Sequence, residues 1–407
     1  MVEPVDELRR CPLPFSARLL DRRAVRIVLE LQRKGHDAYL VGGCVRDLVA
    51  GVRPKDFDIA TSARPEQVRR IFRRSRIIGR RFRLAHVMEG PNVYEVATFR
   101  RAPGEADDPE EPSIILDDNV YGTAREDALR RDFTVNGLFL DPAGEGEILD
   151  WTGGMEDLRR RRLLSIGDPA LRFREDPVRI LRLIRFFRRL GLEPGEEEVA
   201  AAREAAPDME HAAQPRVVEE VFRLALSGDM EGCFGDLIGL GLLPVLLPDI
   251  AAWAEGGPER LDRLYERLAR LDEWVKEEAE PCYSVRLAFL YGPMVELEFD
   301  PRTRTLPVKE IPQVTSHVLG RLQERARLPR QALNRAAAIL KMQLRLDPPP
   351  WFKQRRRKRS DEEKLVAAEH FEDALEYLRH RLVADGRDLA PFDEWKERAL
   401  SLGSERR

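Results

Sequence analysis

One stretch constrains the fold more than any other: "AYLVGGCVRDLVAGVRPKDFDIAT", residues 38 to 61. "AYLV" is short, apolar and unbroken, as a buried strand is. Two glycines, Gly42 and Gly43, end it in a turn that brings backbone N–H groups close to any anion placed there. "CVRDLVAG" then has the length and closing glycine of a short helix. "FDIAT" reads as a second strand. Residues i and i+2 of a strand share a face, so Asp56 and Asp58 are expected to project together. Two carboxylates so close repel one another unless a cation sits between them.

Flanking segments extend this pattern into a small α/β unit. Ala24, Val25, Ile27, Val28 and Leu31 recur at helical spacing between Asp21 and Lys34, with Gly35 as a stop. "PEQVRRIFRR" places Pro65 in the first turn of a helix. "VYEVATFR" (Val93 to Arg100) reads as a strand carrying Glu95. "APGEADDPEEPS" is acidic and almost free of apolar residues, which predicts a loop. From about Asp168 onward strand signals nearly vanish and helical spacing takes over.

The expected fold is therefore an α/β N-terminal head followed by an all-α neck, body and tail. The boundaries read as an extension over 1–20, a head over 21–150, a neck over 151–225, a helical body over 226–345 and a helical C-terminal region over 346–407. A length of 407 residues agrees with several such units. Hydrophobic residues at 43% and charged residues at 35% exclude a disordered chain. No apolar run approaches the length of a membrane span, and the expected location is cytoplasmic. Cys11, Cys44, Cys233 and Cys282 are far apart, which excludes a zinc ribbon. The six histidines form no metal motif, and no P-loop pattern occurs.

Clustered oxygen ligands suit magnesium, and two such ions can activate an attacking hydroxyl and stabilise a leaving oxygen in phosphoryl transfer. Glu95 is the candidate third carboxylate. Arg46, one turn into the helix after Gly43, is expected to reach phosphate oxygens. The plainer alternative is an exposed Asp-x-Asp paired with Arg53 or Lys55. The net charge of only −3 gives no support to nucleic-acid binding, but arginine occurs in blocks. Positions 69, 70, 73, 74, 76, 80, 81 and 83 are all arginine, and "RRRKR" covers Arg355 to Arg359. Arg80, Arg81, Arg355, Arg356 and Arg357 are the candidate RNA contacts.

The order of these features resembles the head of the class II nucleotidyltransferases, the family of CCA-adding tRNA nucleotidyltransferases and bacterial poly(A) polymerases. "LVGGCVRDLVAGVRPKDFDIAT" is similar to its catalytic motif and "RRDFTVNGLF" (Arg130 to Phe139) to its ribose motif. "ILDWTGGMEDL" (Ile148 to Leu158) resembles its head–neck motif, and "REDPVRILRLIRF" (Arg174 to Phe186) its base-reading helix. "IIGRRFRLAHV" (Ile77 to Val87) is similar to the poly(A) polymerase branch.

The resemblance implies that Asp56 and Asp58 bind metal, with Glu95 and Asp132 also catalytic. It implies that Gly42, Gly43, Arg46, Arg131, Asn136, Asp176, Arg179 and Arg182 bind nucleotide. A carboxylate beside a guanidinium, as in Asp176 and Arg179, accepts from an exocyclic amine and donates to a ring nitrogen. Adenine and cytosine offer that edge; uracil and guanine do not. The implied activity is template-independent adenylation of RNA 3′ ends by ATP with two Mg2+ ions. CCA or single-A addition to tRNA is the alternative, and a non-catalytic RNA-binding protein is the alternative of another class. Protein partners are not implied.

Overall fold

The computed structural model describes residues 7–79, 83–101, 121–277, 280–298, 330–348 and 359–404. The chain forms two compact units, Met1–Glu175 with Leu190–Ala202, and Asp176–Arg189 with Arg203–Arg407. Residues 151–175 thus group with the sheet, beyond the Asp150 boundary read from sequence.

The first unit is built on one sheet. Its strands, in chain order, are β1 (Arg9–Pro12), β2 (Ala38–Val41), β3 (Ile59–Thr61), β4 (Ser75–Ile78), β5 (Leu84–Glu89), β6 (Asn92–Thr98), β7 (Leu138–Asp141) and β8 (Glu147–Asp150). Among the described residues they lie in the order β1-β8-β7-β2-β3-β6-β5-β4. Only the β3–β6 pair is parallel; the neighbouring pairs are antiparallel. Helices α1 (Arg22–Arg33), α2 (Gly43–Val49), α3 (Pro65–Ile71), α4 (Ala124–Leu129), α5 (Gly154–Arg159) and α6 (Pro169–Glu175) complete the unit, with the short pair β9 (Arg162–Leu163) and β10 (Glu193–Pro194).

Local chemistry explains these boundaries. Asp21 caps α1 by accepting from the N–H groups of Arg23 and Ala24 at 2.7 and 2.9 Å. Ala24, Ile27, Val28 and Leu31 are the buried stripe of that helix, as the spacing predicts. Thr123 and Glu126 form a reciprocal capping box that starts α4. Under that helix Val41, Ala60, Phe99, Phe139 and Trp151 pack as an aromatic-rich core.

The second unit is helical. It opens with α7 (Val178–Leu190), whose last residue falls outside it, and continues beyond α8 (Glu196–Ala205) with α9 (Gln214–Leu224). Later helices span Pro258–Lys276, Tyr283–Glu298, Arg330–Leu346 and Phe371–Ala384, among others. Arg267 is fully buried between Glu296 and Asp385, at 3.1 and 3.3 Å. Tyr377 donates its hydroxyl to Glu296 at 3.0 Å. A buried guanidinium is tolerable only with such partners. The final helical pattern breaks at Gly386 (φ +62°) and also between Val366 and Phe371. Among the described residues no helix is long and apolar enough to cross a membrane.

Candidate active site

The strand that follows the aspartates begins at Ile59, so Asp56 and Asp58 stand in its lead-in rather than within it. This corrects the strand boundary read from sequence. The ladder has nonetheless begun, because the Asp58 carbonyl accepts from the Val41 N–H at 3.0 Å. Both aspartates are exposed, while Ile59 and Ala60 are buried. Among the described residues Asp56 makes no ion pair. The Asp58 charge reaches the neighbouring helix: burial first, and then this carboxylate, push the Cys44 thiol up to about 12.

Glu95 lies on β6, and Ile59 is level with Val96 in the parallel register. Continuing that register by one residue sets Glu95 beside Asp58 on the same face. Glu95 is exposed, and its carboxylate lies 3.4 Å from His86 Nε2 on β5. Among the described residues no cluster of three or more His, Cys, Asp or Glu side chains could hold a metal by itself.

Behind the Gly-Gly turn lies a buried polar network. Gly42 has φ +68°, and a Cβ there would meet Arg131 Nη1 at 2.5 Å. Only glycine satisfies both the backbone and the close guanidinium. Arg131 donates Nη1 to the Asn136 carbonyl at 3.3 Å and Nη2 to Asp127 at 3.0 Å. Arg46 donates Nη1 to Asn136 Oδ1 at 2.6 Å and Nε to Asp47 at 2.8 Å. Asn136 Nδ2 donates to Asp132 at 2.8 Å. The amide of Asn136 thus faces a cation with its oxygen and an anion with its nitrogen, which fixes its orientation.

The network brings together six of the residues singled out in the sequence: Gly42, Gly43, Arg46, Arg131, Asp132 and Asn136. It also alters the reading of one. Arg46 is only 4% exposed and braces Asn136 and Asp47, rather than projecting toward an open phosphate site. Asp132 is buried. Asp47 and Asp127 are the members that sequence reasoning missed. Burial works to raise the Asp127 carboxyl, but Arg131 and Arg130 beside it outweigh this and hold it below the usual value. The Nε of Arg131 is a buried donor with no partner among the described residues.

The segment "DWTGG" closes this side of the head. Asp150 accepts from the N–H groups of Thr152, Gly153, Gly154 and Met155, at 2.8 to 3.1 Å. Gly154 sits where a Cβ would be 2.3 Å from the Thr134 carbonyl, so the turn is pressed onto the segment that leads to Asn136.

In the second unit, Asp176 stands just before α7 rather than on it, so helical spacing does not set its relation to Arg179; its carboxylate lies 3.9 Å from Arg179 Nε. Arg216 grips Asp176 with two parallel bonds, Nη1 to Oδ1 at 3.0 Å and Nη2 to Oδ2 at 2.7 Å. Nothing in the sequence pattern singled out Arg216. Arg182 is paired with the buried Glu220 at 3.4 Å, and Arg185 donates to the same carboxylate at 3.0 Å. Arg80, Arg81, Arg355, Arg356 and Arg357 lie outside the described residues.

Residues 38–164 match the family model of the Poly A polymerase head domain, and residues 191–254 match the model described as "Probable RNA and SrmB- binding site of polymerase A". The chain is 41% identical over 270 residues to Poly(A) polymerase I of Haemophilus influenzae, covering 64% of this chain and 58% of that protein. It is 36% identical over 293 residues to Poly(A) polymerase I of Salmonella typhimurium, covering 70% of this chain and 63% of the relative. The chain thus spans about three fifths of the length of these curated relatives. A CCA-adding enzyme of Geobacillus kaustophilus is 36% identical over 230 residues, 56% of this chain and 55% of that protein. The crystal structure of Bacillus stearothermophilus CCA-adding enzyme in complex with CTP superimposes with a TM-score of 0.66 at 27% identity. It covers 94% of this chain and 82% of that one.

Residues 38–164 belong to the Poly A polymerase head domain family, in a chain with a sheet-and-helix head and a mostly helical remainder.

Proposed function

We propose that this protein adds AMP from ATP to RNA 3′ ends without a template. The observation that carries the reading is the exposed Asp56–Asp58 pair on the lead-in to β3, in ladder contact with β2, which ends at Val41 just before the Gly-Gly turn. Two adjacent exposed carboxylates fit magnesium, which is held by one or two carboxylates together with substrate phosphates rather than by an all-protein cage. When bound, magnesium would polarise the α-phosphate and help ionise the attacking hydroxyl.

In the reaction, the RNA 3′ oxygen forms a bond to the α-phosphorus of ATP. The bond from that phosphorus to the bridging oxygen breaks, and pyrophosphate leaves with the electron pair. The hydroxyl proton passes to solvent. We assign Asp56 and Asp58 to metal binding, with Glu95 beside Asp58 as the third carboxylate. Gly42 and Gly43 present the turn to the triphosphate. Arg131, Asp132 and Asn136 are assigned to the ribose, where a hydroxyl can both donate and accept. Arg46 holds Asn136 in the orientation this requires.

Base choice is assigned to Asp176 and Arg179. An enzyme that accepts both CTP and ATP must re-aim this pair between a pyrimidine and a purine. Arg216 opposes that freedom, because both oxygens of Asp176 are held by one planar guanidinium. A base pocket of fixed size then favours one substrate, and the poly(A) polymerase relatives point to ATP. The similarity to CCA-adding enzymes supports the second reading, CCA or single-A addition to tRNA. Extension of unstructured RNA and of tRNA lacking its 3′ end, with one nucleoside triphosphate at a time, separates them. Long tails from ATP alone are expected, whereas C incorporation followed by a single A would overturn the first reading. Arg216→Ala is expected to raise CTP use relative to ATP by roughly tenfold. The cytoplasm is the expected location, as for other steps of RNA turnover.

A further inference from the structure

The sheet face that carries Asp58 continues outward across three more strands. The register pairs Glu95 with His86 and His86 with Arg76, so Asp58, Glu95, His86 and Arg76 form one cross-strand row. Beside it runs a second row in which Val93 pairs with Met88. Met88 donates its N–H to the Arg74 carbonyl at 2.9 Å, which extends the row to Arg74. The opposite face of the same strands, with Ser75, Val87, Tyr94 and Val96, is buried. The open face is unlike an ordinary solvated one. Val93, near the β5–β6 turn, is 55% exposed on it. Arg74 and Arg76 are exposed at its edge, and among the described residues neither makes an ion pair.

A polymerase needs a seat for the strand it extends as well as for its nucleotide. From this we infer that the open face of β6, β5 and β4 seats the last nucleotides of the RNA whose 3′ end reacts at Asp58. The inference rests on the adenylation reading given above. The dimensions agree: three strand spacings of roughly 4.8 Å separate β3 from β4, about 14 Å in all. At roughly 3.4 Å per stacked nucleotide that distance spans about four residues of RNA. The exposed apolar Val93 and the neighbouring His86 ring offer surfaces to bases, and the two edge arginines offer charge to upstream phosphates. Such contacts carry no base code, as tailing of varied RNA ends demands.

The test is the salt dependence of binding of a 5′-fluorescein oligoadenylate to the full chain without ATP, read by anisotropy. The variants are R74A/R76A and, as a control of equal charge, R18A/R22A, in the turn before α1 and at its first residue. R74A/R76A is expected to lower the slope of log K against log salt by about 1.4, from two phosphates at roughly 0.7 each. In extension assays it is expected to raise KM for RNA by about tenfold while leaving KM for ATP unchanged. R18A/R22A is expected to change neither. A slope and an RNA KM for R74A/R76A equal to those of the control would overturn the inference. Because the slope is read without turnover, it decides the RNA seat even if the chain transfers a nucleotide other than AMP.

Discussion

Gly42 shows how much a single position can be asked to do. Its φ of +68° is unfavourable for any residue with a Cβ, and the Arg131 guanidinium occupies the space a Cβ would need. Gly42→Ala is expected to cost about 1–3 kcal/mol in head stability, measured by chemical denaturation, and to displace Arg131. Asn136 is constrained as tightly by hydrogen bonding. Asn136→Ala would leave a buried guanidinium and a buried carboxylate each short of a partner. It is expected to lose roughly 2–4 kcal/mol, more than its size alone would suggest. These two positions were legible in the sequence as motif members. Asp47 and Asp127, which pair with Arg46 and Arg131, were not, because the network that gives them a role closes through the Arg46–Asn136 bond, which spans 90 residues and leaves no periodic trace. Arg216 escaped for the same reason, standing 40 residues from the carboxylate it grips.

At the scale of elements, helices with a clean apolar stripe or a terminal proline were legible, as α1 and α3 show. Helix α4 was missed even though Thr123 and Glu126 spell a capping box, since its body "AREDAL" is too short to show a period. The start of β3 was placed too early because an alternating pattern cannot say where a ladder ends. The turn after β8 is the most concentrated device in the head. One carboxylate, Asp150, satisfies four backbone donors. Asp150→Ala is expected to destabilise the head by roughly 3 kcal/mol or more and to loosen the Gly153–Gly154 turn, seen as faster amide exchange there. Asp127 adds an acid limit. Its folded carboxyl lies below the ordinary value, so its stabilisation is complete above the unfolded value and is lost as pH falls through the folded one.

For the whole molecule, the division into a sheet-based first unit and a helical second unit followed from the disappearance of strand patterning. The detail of the helical core did not, because buried ion pairs such as Arg267–Glu296 look like surface charges in sequence. His380 gives the second unit a pH dependence of its own. Burial, then the nearby Arg379, Arg270 and Arg267, lower it from 6.5 to about 4. The ring stacks on Trp274 with centroids 5.0 Å apart. Folding therefore favours the neutral ring. Its contribution is present above pH 6.5 and is lost as pH falls toward 4, roughly 3 kcal/mol in full. Urea unfolding of the full chain between pH 7 and 4 should show this loss, and His380→Gln should flatten it.

The central claim is that Asp56 and Asp58 carry the chemistry, and Asp58→Asn tests it most directly. Incorporation of labelled AMP into an unstructured RNA with Mg2+ and ATP should fall by about a thousandfold or more. Binding of the same RNA without ATP should match that of the unaltered protein. Incorporation by Asp58→Asn within a few-fold of the original rate would contradict the account.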